Sequence, residues 1–214
     1  MPHAPPPADT PSEVRDGFKF RSGHLALDLG ATLAQRAQPA PRELLHSPDD
    51  VARWLVAAEL SQERLVVTIP DVLEARALRE ALYRLALATS CSEVLQAEDR
   101  ALVNRWAAKP AAAPQLSDTV NSELVLAWTH GTTRGFLAAI ARDGITLLAG
   151  PLASRIRKCD GCTLLFVDLS RSGSRRWCSM SACGNKAKVA AFRQRAVEPP
   201  PTASKRKRTK RDER

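Results

Sequence analysis

The chain of 214 residues has a formal net charge of +9, and 44% of its residues are hydrophobic, close to the usual content of a globular protein. It contains no run of 18 apolar residues, and its first residues, MPHAPPPADTPSE, lack the apolar segment of a secretion signal. These features argue against a membrane-spanning protein, and five cysteines in this length are too few for a disulfide scaffold. We therefore expect a soluble cytoplasmic protein.

The positive charge is concentrated at one end of the chain. Residues 151–214 contain 17 Lys or Arg and 5 Asp or Glu, a net charge of +12, whereas residues 1–150 have a net charge of −3. Such asymmetry indicates a polyanionic partner, for which nucleic acid and a membrane surface are the candidates. No predicted helix combines a broad apolar face with a basic one, so the pattern favours nucleic acid.

Composition predicts two structured segments between two disordered ends. Residues 1–16 are rich in Pro, Ala and Asp without periodicity, and residues 198–214 pass from a proline run into a block of basic residues. Between these ends, Gly150 and Pro151 break the chain. The sequence therefore predicts an N-terminal domain over residues 17–150, a smaller module over residues 151–197, and a disordered basic tail.

The N-terminal domain is predicted to be mainly α-helical with a small β element. The clearest helix covers residues 47–60, with Ser47 as N-cap, Pro48 at the first position and Trp54 on the apolar face. Apolar periodicity predicts three more helices, and alternating apolar residues predict a short strand or hairpin. The three helices cover residues 70–95, 97–107 and 132–149, and the β element covers residues 115–130.

Three further predictions concern polar residues of this domain. Asp71 is the expected N-cap of the second helix. The arginines of that helix alternate with glutamates and are expected on a solvated face; they are Arg76, Arg79 and Arg84. Asp28 is the one acid in the apolar stretch GHLALDLGATL, so it is expected to be paired, to cap backbone amides or to contact a ligand.

Four cysteines near the C-terminal end have the spacing of a metal site. Cys159, Cys162, Cys178 and Cys183 form the pattern C-x₂-C-x₁₅-C-x₄-C. Two short turns would supply four thiolates, which is the ligand set of a tetrahedral zinc site, although iron accepts the same set. A thioredoxin-like redox pair would need a parallel sheet and a long helix after the motif, and the surrounding pattern lacks both.

The residues around the cysteines predict a small module. Gly161 permits the tight turn of the first cysteine pair, and the β-prone segment TLLFVD, followed by turn residues, predicts a hairpin between the two pairs. Ser181 is expected to cap a helix that begins near Ala182. Such a module resembles a treble clef or zinc ribbon and is too small to fold without its metal. The predicted fold class is therefore mainly α with a small β element (α+β), followed by a Cys₄ module.

Basic residues around the cysteines are candidate DNA-binding residues. The candidate phosphate contacts are Arg171, Arg175, Arg176, Lys186, Lys188, Arg193 and Arg195. The two arginines before Trp177 are expected to keep their guanidinium groups available for phosphate. Asn185 follows a cysteine ligand at the expected helix start, where its side chain could contact a base edge or cap backbone amides.

Two segments carry a resemblance to known families. The segment LSRSGSRRWCSMSACGNKAK resembles the CGNR zinc finger, whose motif is present here at residues 183–186, and GHLALDLGATL with RELLHSPDDVARWL resembles the start of the ABATE domain. Together the two resemblances cover residues 18–196. They imply a stress-responsive bacterial transcription regulator with a ligand-sensing N-terminal domain and a DNA-binding finger. Lys186 replaces the family's Arg, which keeps the charge but loses the bidentate fork, and Ala31 replaces a frequent Asn.

The sequence thus predicts a DNA-binding transcriptional regulator that uses a Cys₄ zinc finger and whose N-terminal domain senses an effector. The alternative is a zinc-stabilised module that binds RNA or protein, with nonspecific nucleic-acid binding by the basic tail. No acid–base or nucleophile arrangement is recognisable, so we expect no enzymatic activity. The effector and the oligomeric state are left open.

Overall fold

A computed structural model describes residues 13–118 and 124–197. Within these ranges the fold is α+β, as predicted, with six α-helices and four two-stranded antiparallel sheets. The α-helices are α1 (Leu25–Gly30), α2 (Pro48–Ala57), α3 (Ile69–Cys91), α4 (Ala97–Ala107), α5 (Thr133–Ala149) and α6 (Asn185–Val197). The strands are β1 (Glu13–Arg15), β2 (Phe18–Phe20), β3 (Leu33–Ala34), β4 (Arg42–Glu43), β5 (Ala113–Asp118), β6 (Leu124–Thr129), β7 (Ile156–Lys158) and β8 (Leu165–Val167).

The first hairpin was not expected from composition. Strands β1 and β2 pair antiparallel through a two-residue turn at Asp16 and Gly17, both of which have positive φ angles. Asp-Gly is a frequent sequence for such a turn, and Phe18 buries its ring in the core. The prediction of disorder up to residue 16 is therefore wrong for residues 13–16. The predictions for residues 1–12 and 198–214 lie outside the described residues.

Local sequence determines where the main helices begin. Ser47 caps α2 as predicted, and its side chain and that of Asp50 each bond the other's backbone N–H. Helix α3 has the same capping box, but its cap is Thr68 and Asp71 is the third helical residue. The prediction of Asp71 as N-cap is therefore wrong by three positions. The predicted helix over residues 97–107 and the predicted hairpin are confirmed by α4 and by β5 paired with β6.

Helix α3 forms the centre of the main hydrophobic core, where it contacts α1, α2, α4 and α5. Trp54 of α2 is buried there, as predicted. Helices α3 and α5 approach closely at Gly144, where an added Cβ atom would lie 2.4 Å from a methyl carbon of Leu82. A larger residue at position 144 would therefore separate the two helices.

Arg79 lies inside the protein, so its predicted place on a solvated face is wrong. Only 3% of its side chain is exposed, and its two terminal nitrogens donate to the carboxylate oxygens of Glu43 at 2.6 and 2.8 Å. Glu43 also accepts hydrogen bonds from two backbone N–H groups just after β4. The ion pair therefore attaches the β4 segment to α3. Arg84 does lie at the surface, where it pairs with Asp99.

A second hydrophobic core connects the N-terminal helices to the segment after residue 150. It contains buried residues from α1, α3 and α5 together with residues of β7 and β8: Leu27, Ala86, Leu147, Ile156, Leu165 and Val167. The backbone N–H of Val167 also donates to the carbonyl oxygen of Ser22 at 2.7 Å. The break near residue 150 therefore separates two parts of the sequence, whereas their side chains share one core.

Candidate metal centre and nucleic-acid interface

The first cysteine pair lies in the tight connection between β7 and β8, which pair antiparallel. Cys159 donates its N–H to Leu164 O at 2.8 Å and accepts at its own carbonyl from Thr163 N–H at 2.9 Å. A side chain at Gly161 would crowd the second cysteine pair, because an added Cβ atom would lie 3.0 Å from Cys183 Cβ. The turn thus points the first pair toward the second.

The predicted hairpin between the two cysteine pairs is wrong. Strand β8 pairs with β7, which precedes the first pair, and residues 168–179 contain no strand. The returning segment instead contacts the first turn through one backbone hydrogen bond, from Asp160 N–H to Arg176 O at 3.0 Å. The β-prone segment does form β8, but all three of its residues pair with β7 and not with the returning chain.

The second cysteine pair lies just before α6. Cys183 is in a five-residue π-helical turn, Met180–Gly184, and Asn185 begins α6 directly after it. The cap of this turn is Ser179, whose Oγ accepts from Ala182 N–H at 3.4 Å. The prediction of Ser181 as the cap is therefore wrong by two positions, although the predicted helix after the cysteines is present.

The structure brings the four predicted sulfur atoms together, all within 4.8 Å of one another. The Cys162 and Cys178 sulfurs are 3.6 Å apart, and those of Cys178 and Cys183 are 3.8 Å apart. A tetrahedral zinc ion with Zn–S bonds of about 2.3 Å would hold its sulfurs about 3.8 Å apart. The observed separations therefore fit a tetrahedral metal ion of this size.

The electrostatics of the cluster also favour a cation. Hydrogen bonds from the Cys162 and Cys178 thiols lower the pKa of Cys159, whose sulfur also accepts from Cys178 N–H at 3.3 Å. Hydrogen bonding to Cys159 raises the pKa of Cys178, and burial raises the pKa of Cys183 to about 11. Four thiolates in this space therefore require a positive ion between them.

Arg175 is part of the module's internal structure. Its guanidinium donates to Cys178 O at 2.8 Å and lies over the buried ring of Phe166. Its backbone N–H donates to the carboxylate of Asp168 at 2.8 Å. Burial of Asp168 opposes its ionisation, but hydrogen bonds from Ser170 and Arg175 outweigh it and lower the pKa. The prediction that the Arg175 side chain is available for phosphate is therefore wrong.

The other candidate DNA-binding residues are at the surface. Arg176 pairs with Asp160 at 2.8 Å, yet 71% of its side chain is exposed. Four of these candidates are exposed and have no ion-pair or hydrogen-bond partner in residues 13–118 and 124–197: Arg171, Lys186, Lys188 and Arg193. The side chain of Arg195 lies outside the described residues. Asn185 is exposed, and its side chain caps nothing in the described ranges, so the capping alternative is wrong.

Two basic residues near the cysteine cluster were not among the predicted DNA contacts. Lys19 and Arg21, at the end of β2, line the same cleft as Lys186, Trp177 and Cys162. They are about 140 positions from the cysteines in the chain, and no local pattern distinguishes them from other surface cations. Only the packing of the two parts of the chain brings them together.

Comparison with protein families assigns both parts of the chain. The ABATE family model, described as "Putative stress-induced transcription regulator", matches residues 23–151. The chain belongs to the ABATE family. The CGNR zinc finger model matches residues 155–196 of this ABATE protein and includes all four cysteines. Both resemblances seen in the sequence are thereby confirmed. None of the curated proteins matches the sequence significantly.

In the described ranges, no helix has both the length and the apolar composition needed to cross a bilayer.

Proposed function

We propose that this ABATE protein is a DNA-binding transcriptional regulator whose Cys₄ centre holds zinc. The observation that carries the proposal is the set of exposed, unpaired basic residues in the segment that contains the four cysteines; these residues are Arg171, Lys186, Lys188 and Arg193. Cations that lack acidic partners are available for phosphate oxygens, which supply most of the affinity of DNA-binding proteins. The proposal assigns no catalytic reaction to the chain.

The zinc ion would have a structural role in this proposal. Cys159, Cys162, Cys178 and Cys183 would hold it, and the bound ion would fix the geometry of the finger. Helix α6 begins two residues after Cys183, so the metal centre determines the direction in which α6 leaves the module. The exposed residues of its first turns, Asn185 among them, could then approach a DNA groove.

The N-terminal domain is proposed to sense an effector and to act on the finger through the shared core. Support comes from β7 and β8, which pack against α1, α3 and α5. A change in the packing of these helices would therefore reach the finger directly. In a bacterial cell we place the regulator in the cytoplasm, associated with the nucleoid when bound to DNA.

Two measurements test this function. Selection of genomic DNA fragments by the purified protein should recover a preferred site, bound about 10³-fold or more tightly than random DNA at physiological salt. Elemental analysis should find about one zinc per chain, and the double variant Cys159→Ser, Cys183→Ser should lose it. Binding without sequence preference, or full metal content in the double variant, would contradict the corresponding part of the proposal.

One observation favours a protein-interaction module as the second candidate. Met180, Val189 and Phe192, on the π-helical turn and on α6, are large apolar side chains with 51%, 48% and 67% exposure. Val189 and Phe192 are three positions apart and so share a face of α6, and neighbouring exposed apolar residues mark contact surfaces more often than isolated ones do. In that case DNA binding would be nonspecific and would depend on the basic tail, so the fragment selection distinguishes the two candidates.

A further inference from the structure

A cleft of about 380 Å³ lies between the N-terminal hairpin and the zinc finger. One wall is formed by the end of β2, with Lys19 and Arg21, and the other by the start of α6, with Lys186. Trp177 and Cys162 are also among the lining residues. The cleft therefore lies between the hairpin that precedes the matched ABATE residues and the zinc finger.

The two cations of the hairpin wall have no acidic partner. Neither Lys19 nor Arg21 forms an ion pair with any side chain in the described parts of the chain, and the Nε of Arg21 is buried without a hydrogen-bond acceptor. Lys19 lies between Phe18 and Phe20, which pack into the main core, so strand alternation directs Lys19 to the opposite face. An anion in the cleft would satisfy these groups.

The charge of the cleft matches a polyanion. Asp160, an acid of the cleft lining, is already paired with Arg176 at 2.8 Å, so the three remaining cations are not compensated by it. Small side chains of α6, Ala187 and Ala190, also line the cleft. Small residues leave room for a backbone to approach, and an aromatic side chain beside cations is a frequent feature of nucleic-acid grooves.

We infer that Lys19 and Arg21 of the N-terminal hairpin form the second wall of the nucleic-acid site and contact the phosphate backbone opposite Lys186. This inference rests on the proposed DNA-binding function and extends it to the N-terminal hairpin, which precedes the residues that the ABATE model matches. Phosphate contacts of this kind position the protein on DNA and carry no sequence information themselves. The hairpin would thus make the DNA-binding surface dependent on the packing between the two parts of the chain.

A competing explanation is that these cations serve the metal centre. Four thiolates around a dication carry a formal charge of about −2, which nearby Lys and Arg could offset. Cys162 is the partly exposed sulfur ligand, and it lines the same cleft. The two explanations differ in their consequences. If the cations serve the metal centre, their removal would lower the affinity for the metal and leave the DNA contacts unchanged.

The test uses the full chain and measures binding to a mixed-sequence DNA duplex over a series of salt concentrations. In the variant Lys19→Gln, Arg21→Gln, the slope of log Kobs against log salt should become less steep by about 1.8, since each lost phosphate contact removes about 0.9. The matched control is Arg100→Gln, Arg105→Gln, which removes the same charge from exposed positions of α4 that do not line the cleft. The control should keep the wild-type slope.

A further variant separates failure of this inference from failure of the proposed function. Lys188→Gln, Arg193→Gln removes two exposed cations of α6 that do not line the cleft. If the salt dependence of this variant becomes less steep while the Lys19 and Arg21 variant behaves like the α4 control, the inference is overturned and the proposed function stands. If neither variant differs from the wild type, the finger does not bind DNA and both are overturned. Loss of zinc from the Lys19 and Arg21 variant, with an unchanged slope, also overturns the inference.

Discussion

Replacement of Asp28 by Asn should stabilise the protein above neutral pH. The Asp28 carboxylate is buried in α1 and accepts a hydrogen bond from Ser22 N–H at 3.0 Å. Burial raises its pKa from 3.8 to about 7, and the hydrogen bonds from Ser22 and Arg21 offset only part of this effect. The folded protein therefore keeps the proton of Asp28 at pH values where the unfolded chain has released it.

The sign and size of the effect follow from this shift. Because the pKa is higher in the folded state, the contribution of Asp28 to stability is complete below the unfolded pKa and is lost as pH rises through about 7. A shift of about three units corresponds to about 4 kcal/mol, of which about 2–3 kcal/mol is lost between about pH 5 and about pH 8. Asn carries no charge, and its Oδ1 can still accept from Ser22.

The assay is thermal or urea unfolding of Asp28→Asn and wild type across this pH range. The difference in unfolding free energy, variant minus wild type, should rise by about 2–3 kcal/mol from about pH 5 to about pH 8, or about 5–10 °C in Tm. Asp49→Asn is the control, because Asp49 lies at an exposed position of α2, where it pairs with Arg64 at the surface. A constant difference between Asp28→Asn and wild type would refute the reasoning, since the carboxylate would then ionise at no cost.

Three further predictions concern the finger and the tail. Arg175→Ala should destabilise the finger by about 1–3 kcal/mol and should accelerate the release of zinc to a chelator, because the buried Cys178 carbonyl loses its guanidinium donor. The control Arg171→Ala, at an exposed site, should change neither the rate of zinc release nor the Tm. Asn185→Ala should cost about 1–3 kcal/mol of affinity at the preferred DNA site and little on random DNA, and equal losses on both in a binding titration would end the base-contact hypothesis. Deletion of residues 203–214 removes seven basic and two acidic residues, so the affinity should fall equally for every DNA sequence and should depend less steeply on salt concentration. A changed sequence preference in the deletion variant would contradict this prediction.

The sequence by itself determined the elements that depend on neighbouring residues. Ser47 and Pro48 start α2 through contacts within four residues, and apolar periodicity places α4 and α5 within one or two residues of their observed bounds. The cysteine spacing likewise identified all four members of the cluster, because two short turns can bring their sulfurs together with little help from the rest of the fold. The family motifs lie in these same local segments.

Only the tertiary structure decided which polar groups are buried and what they contact. The sequence of α3 predicts that Arg79 lies on a solvated face, yet Arg79 is buried and pairs with Glu43, which is 36 residues away in the chain. The sequence predicts that the Arg175 guanidinium is available for phosphate, but in the folded module it donates to the Cys178 carbonyl. The cleft beside Lys19 also depends on two distant segments that pack together. The burial of a polar group and the choice of its partner result from long-range packing of the whole chain. Helix capping, apolar periodicity and ligand spacing depend on near neighbours, and for this reason these features alone can be recognised in the sequence.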